Sequence, residues 1–284
     1  MTDGGALRIG ELSRRSGVSP ELLRAWERRY GLLQPTRSPG GLRLYSSRDL
    51  TRVQAMQQHL EQGLAAAEAA ALVVRDDSAE TSSITGKDVL AAALSSFDDA
   101  AAHAAFDSML AQLSVDTLLS DILIPYLHEL GQQWENGEAS IAQEHFASTF
   151  LRGRLLGLAR GWGKGIGPAV VLACAPGEQH DLGLLAFGLA LHERGWRIVY
   201  LGSDTPIESV AHAAQSCDAA FIVVSAVKAA TFKRHRAEFA ELAGVARVCF
   251  GGAGAREADP RVDALRLIGD PVEEAERLTR LNQR

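Results

Sequence analysis

The 284-residue sequence predicts a multidomain α and α/β protein: a small helical head, a helical bundle, and a parallel sheet covered by helices on both faces. Three observations predict it. Charge is divided unevenly, since residues 1–60 hold ten Arg against five acidic residues, whereas the remainder holds 19 basic and 30 acidic ones. Residues 87–162 are rich in Ala and Leu at helical spacing. From residue 169 onward, short apolar runs alternate with helical patterns, the signature of strands paired in parallel through helical crossovers.

Overall composition, 46% hydrophobic and 23% charged, is that of a globular chain. Cys174, Cys217 and Cys249 stand 43 and 32 residues apart, a spacing that fits no zinc motif, and an odd count argues against a disulfide framework. No apolar run reaches membrane-spanning length and the start lacks the apolar core of a secretory signal, so no membrane partner is expected and the expected location is cytoplasmic. A basic head on an acidic body predicts a polyanion partner for the head alone.

The head comes first, over residues 1–75. Ile9 to Gly31 reads as two short helices around a turn at Gly17. Ser19 suits the N-cap of the second helix, Pro20 its first position, and Glu21 its positive end. Leu22, Leu23 and Trp26 supply an apolar stripe, while Arg24 and Arg28, four apart, share one face. Next, Gly40-Gly41 marks a hairpin-type turn, with Leu42 and Leu44 alternating with Arg43 and Tyr45 in a small wing. A second helix set in a major groove presents arginines to base edges and phosphates. In this order the elements form a winged helix-turn-helix. The helical pattern that begins at Asp49 fades into a polar stretch, read as a linker over residues 76–86.

The bundle occupies residues 87–165, with helices expected at about 87–95, 98–112, 115–137 and 140–160, the third kinked by Pro125. Within it Trp134 precedes an adjacent Glu144-His145 pair. Trp offers a flat apolar surface, Glu accepts hydrogen bonds, and His donates one or ligates a metal.

The sheet segment occupies residues 166–284. Strands are expected at about 169–175, 197–202, 219–225, 246–251 and 266–269, and helices at about 182–194, 206–217, 231–243, 253–260 and 271–282. Five strands over this length fit a flavodoxin-like, or Rossmann-like, order. The first strand runs directly into Pro176-Gly177-Glu178-Gln179-His180-Asp181-Leu182-Gly183. A histidine in such a loop lies where open α/β sheets bind ligands, and a carboxylate two residues earlier can fix its tautomer. Small or polar residues mark other strand ends: Asp204 and Thr205 after the second, Ser225 and Val227 around the third, Gly251 and Gly252 at the fourth. They open a slot into which a ligand fits closely.

The head resembles the MerR family of transcription regulators over about residues 7–74. That resemblance implies double-stranded operator DNA as partner, dimers on near-palindromic sites, and Arg24, Arg28, Arg37, Arg43 and Tyr45 as contacts. Glu178-x-His180-x-x-Gly183, Ser225-x-Val227 and Gly251-Gly252 resemble the cobalamin-binding domain of corrinoid proteins. There the histidine replaces the cofactor's own base as lower axial cobalt ligand, and the displaced nucleotide tail enters the slot. Glu178 stands where Asp is common and Val227 where Leu is.

Together the three segments are similar to the CarH/LitR family of bacterial repressors, which use adenosylcobalamin as a light sensor. By that resemblance His180 ligates cobalt, and Glu178, Asp181, Gly183, Asp204, Thr205, Ser225, Val227, Gly251 and Gly252 surround the cofactor. Trp134, Glu144 and His145 cover its upper face. A dark oligomer, dimer or more often tetramer, would bind DNA and dissociate on photolysis of the cobalt–carbon bond. Family members often carry a histidine directly after the Trp. Here Glu135 stands there, so a bis-histidine photoproduct would need His145 or His128. A light-independent repressor sensing methylcobalamin or another cobalamin is the first alternative; a corrinoid methyl carrier, hence an enzyme module, is the second.

Overall fold

A computed structural model describes residues 7–38, 40–164, 166–258 and 261–283, with the backbone alone for 76–85. The chain divides into two units, Met1–Ile84 and Thr85–Arg284.

In the first unit, helices α1 (Ile9–Ser16) and α2 (Pro20–Tyr30) flank Gly17, whose φ of 72° gives the turn a left-handed residue. Ser19 caps α2 by accepting from the Leu22 amide, with Pro20 at the helix start, as the sequence implies. Strands β1 (Thr36–Arg37) and β2 (Arg43–Leu44) pair antiparallel as the wing. Helix α3 (Ser47–Glu61) begins with a reciprocal capping box between Ser46 and Asp49. Asp49 is buried, and its carboxylate also accepts from the Gln34 amide, tying α3 to the chain leaving α2. Leu12, Leu23, Trp26, Tyr45, Val53 and Met56 form the core beneath.

The backbone of α4 (Ala66–Ser95) is one continuous helix. The expected linker over 76–86 is helical in its backbone and continuous with the expected helix over 87–95, while the boundary between the two units, at Ile84 and Thr85, falls within it. Ala-rich turns on both sides propagate the helix through the polar stretch, because extending a helix costs far less than starting one.

In the second unit the bundle continues with α5 (Asp99–Leu110), α6 (Val115–Thr117), a π-helical segment (Leu118–Leu123), α7 (Ile124–Glu135) and α8 (Ile141–Leu158). The predicted disturbance at Pro125 takes the form of that π segment. Proline has no amide hydrogen to donate back along the helix, and the Ile124 amide instead reaches the Leu119 carbonyl, five residues back. Leu90, Phe106, Met109, Leu119, Ile122 and Leu151 are fully buried inside.

The sheet is formed by β3 (Ala169–Cys174), β4 (Arg197–Gly202), β5 (Ala219–Ser225), β6 (Arg247–Gly251) and β7 (Ala264–Leu267), all parallel, in the order β4-β3-β5-β6-β7. That is the flavodoxin-like order. Strand β3 is buried along its whole length, as a central parallel strand must be. Helix α9 (Leu182–Glu193) is apolar on every side and buries all residues from Leu184 to Leu191. Helix α10 (Ile207–Cys217) follows β4, and α13 (Pro271–Asn282) closes the chain. Two expected helices are shorter than predicted. Residues 231–243 divide into α11 (Ala229–Arg234) and α12 (Arg236–Leu242), and a 3-10 turn over Ala253–Glu257 replaces 253–260, of which 259–260 lie outside the described residues. Among the described residues no helix is long and apolar enough to cross a membrane.

Asp49→Ala removes the reciprocal half of the capping box and leaves the Gln34 and Ser46 amides without their side-chain acceptor in a part-buried setting. It is expected to destabilise the head by about 2 kcal/mol, read as an earlier transition in chemical denaturation of the full chain.

Candidate functional site

The strand order reverses between β3 and β5, and the site is built across that switch point. Glu178, on the loop after β3, is buried. Its Oε1 accepts from the His180 backbone amide at 3.0 Å and meets His180 Nδ1 at 2.6 Å, while its Oε2 accepts from the Val227 amide at 2.7 Å. One carboxylate therefore fastens the loop after β3 to the loop after β5. Burial raises the Glu178 pKa, but the two backbone amides and the His180 ring more than offset it, holding the group below the ordinary carboxylate range. An ionised carboxylate only accepts, so Nδ1 of His180 carries the hydrogen of this bond and Nε2 is the ring nitrogen that Glu178 leaves free. The side chain of His180 is 75% exposed. The longer arm of Glu, relative to Asp, is accommodated without losing the bond.

Beside this loop lies a cavity of about 620 Å³. Gly183, Ser225, Gly251 and Gly252 line it from the sheet, and Ser120, Ile124 and His128 from the bundle. A Cβ on Gly252, whose φ is 80°, would stand 2.6 Å from the Ala226 carbonyl oxygen. Backbone and cavity wall thus approach here in a way that only glycine permits. A cobalamin fits these residues: an imidazole with one oriented free nitrogen, and a glycine-lined slot at the adjoining strand ends.

Three predicted residues sit elsewhere. Asp204 and Thr205 brace the loop from behind: Asp204 Oδ1 accepts from the Gly177 amide at 2.7 Å, its own amide donates to the Glu178 carbonyl at 2.9 Å, and the Thr205 amide donates to the Cys174 carbonyl at 3.2 Å. Asp181 turns toward the bundle. Its carboxylate, 7% exposed, accepts from Arg152 Nη2 at 2.7 Å and from the Tyr200 hydroxyl at 2.8 Å. Val227 takes part through its amide, its side chain being exposed. In the bundle, Trp134 is 49% exposed in the last turn of α7, and Glu144 and His145 lie in the first turn of α8. His145 Nδ1 meets Glu144 Oε2 at 2.7 Å, and Ser148 donates to the other oxygen at 2.6 Å. Glu135 is exposed beside Trp134, and His128 lines the cavity.

On the head, Arg24, Arg28, Arg37 and Arg43 are exposed. Tyr45 is the exception: it is 1% exposed in the core, so its side chain is corrected from DNA contact to packing residue. Its hydroxyl donates to Glu27 Oε2 at 2.8 Å, and burial together with that carboxylate pushes its pKa up to about 12. Arg43 Nε donates to Glu27 Oε1 at 2.9 Å. Glu27, which the sequence reading passed over, joins the wing to α2. A charge on the inner side of a helix otherwise lined with arginines was the available signal.

Residues 7–74 match the MerR HTH family of regulatory proteins, and 87–156 and 168–278 each match a B12 binding domain family. The chain is 32% identical to the HTH-type transcriptional repressor CarH of Myxococcus xanthus over 78% of each chain. It is 31% identical to the repressor CarA of the same organism over 88% of each. A monomethylamine corrinoid protein of Methanosarcina barkeri shares the fold at a TM-score of 0.52 and 19% identity, covering 68% of this chain and 96% of that one.

Glu27→Ala strands the Tyr45 hydroxyl and frees Arg43, and operator affinity in a gel-shift titration is expected to fall about tenfold, whereas Tyr45→Phe stays within about twofold of the parent. Glu178→Ala is expected to weaken cobalamin retention by about 10–100-fold in equilibrium dialysis, as loss of a ligand's orienting partner does.

Proposed function

Since this chain belongs to the family of MerR-type transcriptional repressors with B12-binding domains that includes CarH and CarA, we propose that it is a light-responsive repressor with adenosylcobalamin as chromophore. When bound, that cofactor supplies a cobalt–carbon bond that light breaks. The observation that carries the reading is the Glu178–His180 pair, which holds one ring nitrogen and leaves the other for cobalt beside a glycine-lined cavity.

In this reading His180 Nε2 would hold the cobalt, and Gly251, Gly252 and Ser225 would line the slot that takes part of the cofactor. Trp134 packs on the adenosyl group, Glu144 accepts hydrogen bonds from it, and His145 lines the same face. Arg24, Arg28, Arg37 and Arg43 hold phosphates and base edges of operator DNA. In the dark the chain is a homo-oligomer, a tetramer in the simplest form, whose linked heads gain avidity on repeated sites. Trp134, exposed in the last turn of α7, would be the residue through which loss of the adenosyl group reaches the bundle. The oligomer then separates, and avidity is lost with it.

A second reading has one specific observation in its favour. Glu135 occupies the position after Trp134 and offers cobalt no imidazole, so the dark and illuminated states differ by less ligand exchange. The chain would then report cobalamin itself, without light.

Apoprotein mixed with adenosylcobalamin in the dark, followed by absorbance, light scattering and operator binding before and after illumination, separates the readings. The expected result is a larger dark species that releases DNA in light. Binding of cobalamin with DNA affinity indifferent to light leaves the second reading, and failure to bind cobalamin removes both. His180→Ala is expected to lower cofactor retention at least tenfold, at roughly the scale of losing a metal ligand. Trp134→Ala is expected to keep the histidine-ligated spectrum and lose the light-dependent change in size.

A further inference from the structure

Bundle and sheet meet within one compact unit, and polar side chains bridge them at two places. On one side Arg194 of the sheet region pairs with Asp116, and Ser120 donates to Asp270 at 3.0 Å. On the other, Arg152 of α8 grips Asp181: Nε lies 2.9 and 3.1 Å from its two oxygens and Nη2 2.7 Å from one. Asp181 is the residue directly after His180. Tyr200, on the edge strand β4, donates to the same carboxylate, and its ring stands edge-on to Trp162.

The other end of α8 carries Glu144. Residues 144, 148 and 152 recur every four positions and so lie along one face of the helix. Ser148 bonds Glu144 at 2.6 Å, and Arg152 is one turn further on. The helix is thus a strut, about 12 Å long between these residues. It links the Glu144–His145 pair at its start to the His180 loop at Arg152.

The geometry points to Arg152 as a positioning residue: through its fork-like grip on Asp181 it couples the His180 loop to the placement of the bundle. A planar guanidinium against a buried carboxylate fixes both distance and angle, which a lysine or a single hydrogen bond does not. Ligation at His180 then fixes the loop, the loop fixes Asp181, and Asp181 fixes α8 and with it Glu144 and His145. The inference rests on the cobalamin reading of His180 but not on light or on operator binding.

The connection between bundle and sheet reports the coupling. Arg160 and Lys164 are exposed there, and each is a trypsin site. Full-length protein is digested with and without hydroxocobalamin, while absorbance records whether His180 is ligated. For the parent chain, cobalamin is expected to slow cleavage at these sites at least tenfold. Arg152→Gln and Asp181→Asn are expected to keep the ligated spectrum yet reduce that protection to less than threefold, with Arg152→Lys between them. The charge-reversed pair Arg152→Glu with Asp181→Arg is expected to recover part of it. A merely structural role would speed cleavage of the apo and loaded forms alike, leaving their ratio unchanged. The inference is overturned if both single variants, ligated through His180, retain the parental protection ratio, or if cobalamin ligated by His180 gives the parent no protection. An effect on DNA that fails to appear, with protection intact, would count against the proposed function alone.

Discussion

Everything at the strand ends depends on the two oxygens of Glu178. One faces the His180 ring and amide, the other the Val227 amide across the switch point. Without that carboxylate, the two loops would keep only the backbone bond from the Ala175 amide to the Ser225 carbonyl at their base, among the bonds described, and the exposed imidazole would lose its side-chain partner. Burying a carboxylate is costly unless its lone pairs are satisfied, and here three donors satisfy them. The same bonds that keep Glu178 ionised make it an acceptor only, which places the hydrogen of the shared bond on Nδ1 of His180. Loop geometry and ligand chemistry are therefore set by one interaction.

The sheet was legible in the sequence because its pattern is dictated by burial on both faces. Val170-Val171-Leu172 reads as a central strand since no polar side chain has a place there, and the strand bounds fall within about two residues of expectation, as boundary rules allow. α4 was misread because polar composition was taken as a break. Composition reports what a helix faces, whereas continuity depends on backbone propagation from the flanking turns. The split of α11 from α12 left little trace, since His235 and Arg236 carry no breaking residue.

The site was legible in part, and the misreadings have a common cause. Glu178, His180 and the Gly251-Gly252 step could be found because each lies at a strand end, a place topology marks in advance. Tyr45 was misassigned because alternation in a two-residue strand does not say which face is inward; its ring fills the head's core and only its hydroxyl finds a polar partner. Asp181 entered through the resemblance alone, and nothing in the sequence signalled the bonds its carboxylate makes to Arg152 and Tyr200. Arg152 and Tyr200 were missed since their meaning lies wholly in tertiary contact, 29 and 19 residues away from Asp181.

The polar contacts bridging bundle and sheet stand beside an apolar one, since α8 packs on the wholly apolar α9. Those named above are ion pairs and hydrogen bonds, such as Arg194–Asp116, whose side chains are 15% and 37% exposed. A joint of this kind exchanges protein partners for water at small net cost, whereas parting an apolar core would expose surface at about 25 cal/mol per Å². Asp181 differs because it is buried, so separating it from Arg152 leaves a carboxylate held by Tyr200 alone. Removing one partner of such a pair costs more than the pair contributes. The polar bridges are therefore unequal: half-buried at Asp116 and Ser120, buried at Asp181 beside His180.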